Sequence, residues 1–359
     1  MSRLVYSLPV LALAVSAALL PGQGSSQPSG STWTFAVSGD SRNCGDYVMP
    51  AIASRVMGEG DAFYWHLGDF RRMSAEDEDM LAVEPASGKR TLNEYRAVAW
   101  DDFLKHQMAA FGDFPVFLGR GNHEVGIPNS RELYKAKFAS YLSRPEILAQ
   151  DDKDKSGAAP KLSPWYHFVR DGVDFITLDN SEKDEFSDAQ MTWLRGVLDR
   201  DLAPNSGIKT IIAGAHEAMP ESLNSNHAMD EASPAGIAAG EKAYRWFADA
   251  QTKGKHVYLI ASHSHYYSPD IYNSPKWKAK GIVVPGLIIG SAGARRYALP
   301  PTAPAGAKTH IYGYVQATVH PDGKIDFSLN EISEKELVAH KWPELPLAQL
   351  HECFVGNAD

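Results

Sequence analysis

Gly121-Asn122-His123-Glu124 decides how this chain is read. It stands directly behind residues 115–118, a short apolar run that reads as a buried strand. An amide, an imidazole and a carboxylate therefore arrive where a strand ends and a loop begins. Working outward, the arrangement recurs. His263-Ser264-His265 follows the strand-like run 256–260, and His216 follows 210–213. Upstream, Ser38-Gly39-Asp40-Ser41-Arg42 ends the run 33–37, and His66-Leu67-Gly68-Asp69-Phe70 ends 62–66. Strands alternating with helices bring such strand ends to one edge of a sheet, the edge where α/β folds place their ligands. Aspartate, asparagine and histidine together suit a pair of divalent cations.

Each piece alone has a plainer reading. Asp40, behind a glycine, reads by itself as a turn aspartate. Asp69 has the same setting, and two such carboxylates at one sheet edge begin to specify a cation site. Asn122 offers a carbonyl oxygen to a metal, while the adjacent His123 points elsewhere, toward a departing alkoxide or the phosphoryl oxygens. His263 and His265 are one residue apart, so extended backbone puts both imidazoles on the same side. His66 reads as a packing or orienting residue and His227 as a loop histidine; His310 and His320 have no supporting neighbours.

The ordered set Gly-Asp, Gly-Asp, Gly-Asn-His-Glu, His and His-X-His resembles the calcineurin-like metallophosphoesterase superfamily. The resemblance implies an α/β fold, a four-layer α/β/β/α sandwich with two central mixed sheets. It also implies a dinuclear site of manganese, iron or zinc. Asp69 would bridge the two cations, Asn122, His216 and His263 would complete one site, and Asp40 and His265 would hold the other. His123 would be the catalytic histidine, and the small-residue loop Gly290-Ser291-Ala292-Gly293-Ala294 would lie close by. The implied activity is hydrolysis of a phosphomonoester or phosphodiester by a metal-activated hydroxide, on a small phosphorylated substrate.

Two positions depart from the family pattern. Arg42 stands where many members carry a histidine ligand, which leaves the first cation with Asp40, Asp69 and His265 and makes it the weaker one. Water or a side chain such as Asp46 would complete it. Arg72 stands where other branches place a tyrosine ligand or the acid that orients the catalytic histidine. Guanidinium groups suit phosphate, so Arg42 and Arg72, with Asn122, are read as phosphate-binding, and one tight cation plus arginine would suffice for turnover. A catalytically weak or inactive phosphate- or metal-binding member of the fold is the alternative, against which the retained His123 argues. A structural or adhesive exported protein is a third reading, opposed by the absence of repeats.

The rest of the chain sets the frame. Its 359 residues carry a formal net charge of −9, without the basic footprint of a nucleic-acid binder. Residues 1–24, with Arg3 ahead of an apolar run and a small-residue exit, read as a signal peptide, so the protein is expected to be exported, periplasmic or secreted. Residues 25–31 read as a flexible linker, 32–332 as the metallophosphoesterase domain and 333–359 as a C-terminal tail, with no transmembrane anchor in the mature chain. Cys44 and Cys353 either bridge, tying the tail to the loop after Asp40, or remain two thiols. Helices are expected over 50–57, 93–111 (apolar at Tyr95, Val98, Ala99, Phe103 and Met108), 131–142, 188–201 with Asp188 as N-cap, and 235–251. Residues 73–90 read as an exposed acidic insertion and 150–164 as a polar loop; 73–90 and 219–234 would frame specificity.

Overall fold

Alternation of short, β-rich apolar runs with amphipathic helices produces two sheets. The computed structural model describes residues 30–81, 90–126, 129–154, 162–224 and 226–356. In chain order the strands are β1 (Trp33–Ser38), β2 (Tyr64–His66), β3 (Val116–Leu118), β4 (Tyr166–Arg170), β5 (Val173–Thr177) and β6 (Thr210–Gly214). They continue as β7 (His256–Ala261), β8 (Tyr267–Ser268), β9 (Gly286–Ile289), β10 (Gly313–Val319) and β11 (Ile325–Glu331). One sheet has the order β11-β10-β1-β2-β3 and the other β4-β5-β6-β7-β9-β8. Both are mixed: β1, β2 and β3 run parallel beside the antiparallel β10–β11 hairpin, and β5, β6, β7 and β9 run parallel between antiparallel edges.

The sheets meet face to face through phenylalanines. Phe117 stacks on Phe168 at 4.0 Å, Phe35 meets Phe175 edge-on at 5.1 Å, and Phe63 touches both Phe168 and Phe175. These rings exclude water between the sheets. Trp65 crosses so near β6 that a Cβ at Gly214 would sit 2.5 Å from its ring. Helices Asp188–Asp201 and Pro234–Thr252 bury Leu194, Val197, Leu198, Tyr244 and Phe247 in one outer core, and Gly45–Glu59 buries Val48, Ile52 and Val56 in the other. The result is the expected four-layer α/β/β/α sandwich.

Several local expectations are corrected. The first helix begins at Gly45 and carries Pro50 inside, because burial of Tyr47, Val48 and Ile52 outweighs one lost backbone hydrogen bond. The helix expected over 93–111 is regular only over Leu92–Asp102, then widens at Phe103–Gln107 and tightens at Met108–Phe111. Val98 is 39% exposed, whereas Tyr95, Ala99, Phe103 and Met108 are buried. The helix at 131–142 breaks at Phe138. The start of the supposed polar loop is a helix, Pro145–Asp154, with Ile147 buried; the loop's later part lies outside the described residues. Ser187, not Asp188, caps its helix, accepting the N–H of Gln190; Asp188 sits in the first turn, where its charge favours the helix dipole.

The acidic stretch after Met73 is not a solvated face. Asp77 and Asp79 are fully buried around Arg71, itself fully buried. Arg71 also reaches Asp46 and Asp102, and Asp79 at 2.9 Å. A buried guanidinium requires such counter-charges. Residues 333–356, read as a tail, form helices Glu334–His340 and Leu347–His351 that bury Leu337 and Leu350, and Cys353 bonds Cys44. The expected leader at 1–24 and most of the linker lie outside the described residues. Among the described residues no helix is long and apolar enough to cross a membrane.

Candidate metal centre

The expected ligands converge where strand ends from both sheets meet. The registers Ser38↔His66 and His66↔Leu118 level the ends of β1, β2 and β3, and the registers Gly214↔Ile260 and Ala261↔Ile288 level those of β6, β7 and β9. The first loop is stitched to its neighbours by Gly39 N–H to Ile289 O, Asp40 N–H to Gly68 O and Ser41 N–H to Asp69 O. The turns are tight. A Cβ at Gly121 would lie 2.3 Å from Asp69 Oδ1, which keeps that position a glycine. Asp40, Asp69 and His263 have φ of 61°, 59° and 63°, left-handed conformations that cost about 1–3 kcal/mol each and persist where surrounding structure enforces them.

Ligand atoms of Asp40, Asp69, His216 and His263 all lie within 4.8 Å of one another. His216 Nε2 is the focus: Asn122 Oδ1 lies 3.2 Å away, His263 Nδ1 3.0 Å and Asp69 Oδ1 3.3 Å. His216 Nδ1–H donates to Leu67 O at 2.9 Å, which fixes the ring so that Nε2 faces this set. Two imidazole nitrogens, an amide oxygen and a carboxylate oxygen are a suitable donor set for a divalent cation. Asp40 Oδ1 and Asp69 Oδ2 are buried here without a hydrogen-bond partner, a demand for positive charge.

That demand shows in the titration of the groups. Burial would raise the Asp69 carboxyl, but His216, His123 and Arg42 hold it well below the usual carboxylate range. Asp40 is likewise lowered, burial being outweighed by His265 and His216. Burial would lower His216, yet Asp69 and Asp40 push it up to about 10. His263 is held well below the imidazole range by burial and by the charge on His216.

The other expected cation position has a different occupant. The Arg42 guanidinium lies among its donors: Nη2–H donates to His265 Nε2 at 2.9 Å, and Nε is 3.5 Å from Asp69 Oδ2. His265 Nδ1–H is bonded to Arg295 O, so Nε2 is the acceptor of the ring and the arginine takes it. The residues present therefore fit a cation at Asp69, Asn122, His216 and His263, and do not fit a second at Asp40, Asp69 and His265. Asp46 does not complete that site either; its carboxylate turns to Arg71 and His106.

His123 flanks the set, with Nε2 3.7 Å from Asp69 Oδ2 and its N–H on Asp69 Oδ1 at 3.0 Å. Its Nδ1–H donates to the carbonyl oxygen of Arg72. Burial lowers its pKa from the usual imidazole value, against Asp69. Among the described residues Arg72 meets the centre through that carbonyl, and its guanidinium, half exposed, is 3.6 Å from Glu78.

Four further residues stand around the set, and none of them was read as a ligand or catalytic group in the sequence. Glu124 accepts N–H groups of Asp69, Phe70 and Gly121 at 2.8, 2.9 and 2.8 Å, binding the two motif turns together. His66, buried and lowered to about 3, bonds Ser41 Oγ at 2.9 Å beside Arg42. Tyr297 stacks on His265 at 4.0 Å and accepts from Arg42 Nη2 at 3.3 Å. His227, exposed, meets His263 edge-on at 5.1 Å and Tyr297 at 5.3 Å. Tyr297, three residues beyond the Gly290–Ala294 loop, was not singled out in the sequence. That loop does abut the centre: a Cβ at Gly290 would be 2.7 Å from Asp40 Oδ2.

No family model matches the sequence, and no curated protein matches it. Solved structures do match the fold. A purple acid phosphatase from yellow lupin (Lupinus luteus) seeds aligns with TM-score 0.54 and 15% identity over 89% of this chain and 57% of that one. A dimetal phosphatase from Danio rerio aligns with TM-score 0.50 and 13% identity over 82% of this chain and 98% of that one. The fold is that of the calcineurin-like metallophosphoesterases. This chain thus spans little more than half the length of the lupin protein and most of the length of the Danio one.

Proposed function

We propose that the protein is a metal-dependent phosphoester hydrolase acting on a small phosphorylated substrate. The observation that carries this reading is the convergence of Asp69, Asn122 and His263 on His216 Nε2 at 3.0–3.3 Å, with His123 alongside. A divalent cation such as manganese, iron or zinc, held by these residues, would supply Lewis-acid polarisation and a lowered water pKa.

The chain's own groups account for the remaining work. Arg42 Nη2 is anchored on His265 and Tyr297, and Nε, which makes no hydrogen bond, lies 3.5 Å from Asp69 Oδ2; among the described residues Nη1 has no protein partner. The free edge is positioned for a phosphoryl oxygen and fixed charge there stabilises the developing negative charge. His123 is oriented by the Arg72 carbonyl with Nε2 toward the centre, so a proton there is aimed at the departing alkoxide. Arg72 contributes through its main chain. Asp69 is kept ionised by the surrounding imidazoles and Arg42, and Glu124 holds its turn.

The Cys44–Cys353 disulfide supports an oxidising location, in line with an exported, periplasmic or secreted protein. The test is release of phenolate from a chromogenic phosphomonoester and a phosphodiester, by purified protein before and after chelation and with manganese restored. Turnover that chelation abolishes and manganese restores supports the reading. No turnover of either ester with metal bound overturns it in favour of an inactive member of the fold.

A further inference from the structure

The centre presents two cation positions to the eye of chemistry and only one to a metal. We infer that this is a one-metal site in which the Arg42 guanidinium permanently occupies the place of a second cation. This deepens the hydrolase reading and rests on it for its catalytic meaning, but not for its metal count.

Three observations carry it. First, two of the three donors of the second position face the arginine. Asp69 Oδ2 faces Arg42 Nε at 3.5 Å and His265 Nε2 accepts Nη2–H at 2.9 Å. A cation within bonding distance of both oxygen and nitrogen would sit against a guanidinium that remains charged at every working pH. Coulomb repulsion at such a distance opposes a cation there, and Asp40 Oδ1 is the one donor of the three that does not face the arginine.

Second, the arginine is built in. Its side chain is only 10% exposed. Tyr297 Oη lies 3.3 Å from Nη2, and the Tyr297 ring stacks on His265 at 4.0 Å, closing that side. The loop that carries Arg42 is clamped at several points. Asn43 N–H donates to Asp77 Oδ1 at 2.6 Å, Asp46 N–H to Asp79 Oδ2 at 2.9 Å, and Ser41 Oγ bonds His66 at 2.9 Å. Cys44, two residues on, is tied to Cys353. Swinging the guanidinium out to admit a metal would break its bonds to His265 and Tyr297.

Third, the remaining position is complete without the second. Asp69, Asn122, His216 and His263 supply four donors, and His265 and Asp40 serve other ends. His265 binds the arginine, and Asp40 Oδ2 accepts the N–H of His263 at 2.8 Å, which sets that ligand's backbone.

The test is manganese(II) binding to the metal-free full chain, followed by isothermal titration and electron paramagnetic resonance. The expected result is a single equivalent with the spectrum of an isolated ion. His216→Ala abolishes it, His265→Ala preserves one equivalent, and Arg42→His, which returns an imidazole to that position, takes up a second equivalent with an exchange-coupled spectrum. Two coupled ions in the wild-type chain overturn the inference. Loss of the single equivalent in His265→Ala overturns it as well, independently of whether Arg42→His folds. Phosphoester turnover is read in parallel: two ions with turnover sinks the metal count and leaves the hydrolase reading standing, whereas one ion without turnover does the reverse.

Discussion

The Nδ1–H of His123 donates to the main-chain carbonyl oxygen of Arg72, and by that bond the ring presents Nε2 to Asp69, 3.7 Å away. The orienting acceptor is thus backbone, in a position where the resemblance led one to look for an acidic side chain. A carbonyl fixes the tautomer as a carboxylate would, without adding a negative charge beside the imidazole. The expected consequence separates the two residues. His123→Ala lowers kcat by about 10²–10³-fold, in the range of a lost general acid. Arg72→Ala keeps the carbonyl and leaves kcat within about twofold. Steady-state kinetics on a chromogenic ester decides it; an Arg72→Ala loss matching that of His123→Ala would show that the guanidinium acts directly.

Metal removal should register in stability as well as turnover. The ligands come from four separate loops, so a bound cation ties both sheets together and binds the native state alone. At a free metal level about 100 times the dissociation constant, the gain is about 2.7 kcal/mol. Manganese should therefore raise the unfolding midpoint of the chelated protein. The rise should vanish in His216→Ala and in Asp69→Asn, whose side chains are both fully buried in the cluster. A rise that survives in both variants would place the cation elsewhere.

The bridge between Cys44 and Cys353 closes a loop with a sequence separation of 309 residues. In the chain-entropy view a loop of this length is worth about 5–6 kcal/mol. The double variant Cys44→Ser, Cys353→Ser should lower the guanidinium chloride midpoint accordingly. It should also raise KM more than it lowers kcat, because the bridge anchors the loop that carries Arg42. An unchanged midpoint would mean that the bridge adds nothing to the helices around it.

How much of this was legible in the chain can be judged residue by residue. Asp40, Asp69, Asn122, His216 and His263 were, because each lies within a few positions of an apolar strand whose end fixes its address. The four-layer architecture followed from the same alternation. Arg42 was visible as an anomaly, but not as the occupant of a cation position, since that depends on a side-chain path past His265 and Tyr297. Asp77 and Asp79 read as solvated because their neutralising partner, Arg71, is matched by acids from distant stretches, Asp46 and Asp102 among them. The helix at Pro145–Asp154 was missed although a proline at the first turn is a start signal; its charged composition masked its one buried apolar residue, Ile147.

The stability should fall in alkali for a reason remote from the metal. His167 on β4 is clasped by Asp174 at 2.8 Å and Asp154 at 2.6 Å. Burial would lower its pKa, but these carboxylates raise it to about 10. The unfolded chain loses that proton near pH ~6.5, so the native state binds more protons between ~6.5 and ~10 and the unfolding free energy declines across that window. Asp201, pushed up to about 9 by burial and Asp174, acts with the same sign, because its native proton is also lost as pH rises. The His167 contribution is fully present below pH ~6.5 and gone above ~10, a decline on the order of 3 kcal/mol after discounting the coupling. Urea midpoints measured from about pH 7 to about pH 10 should fall steadily in the wild-type chain. In His167→Asn they should start lower, since buried carboxylates lose their partner, and the slope should flatten. A wild-type midpoint that is level or rising across that range would show that the His167 proton is not held in the native state.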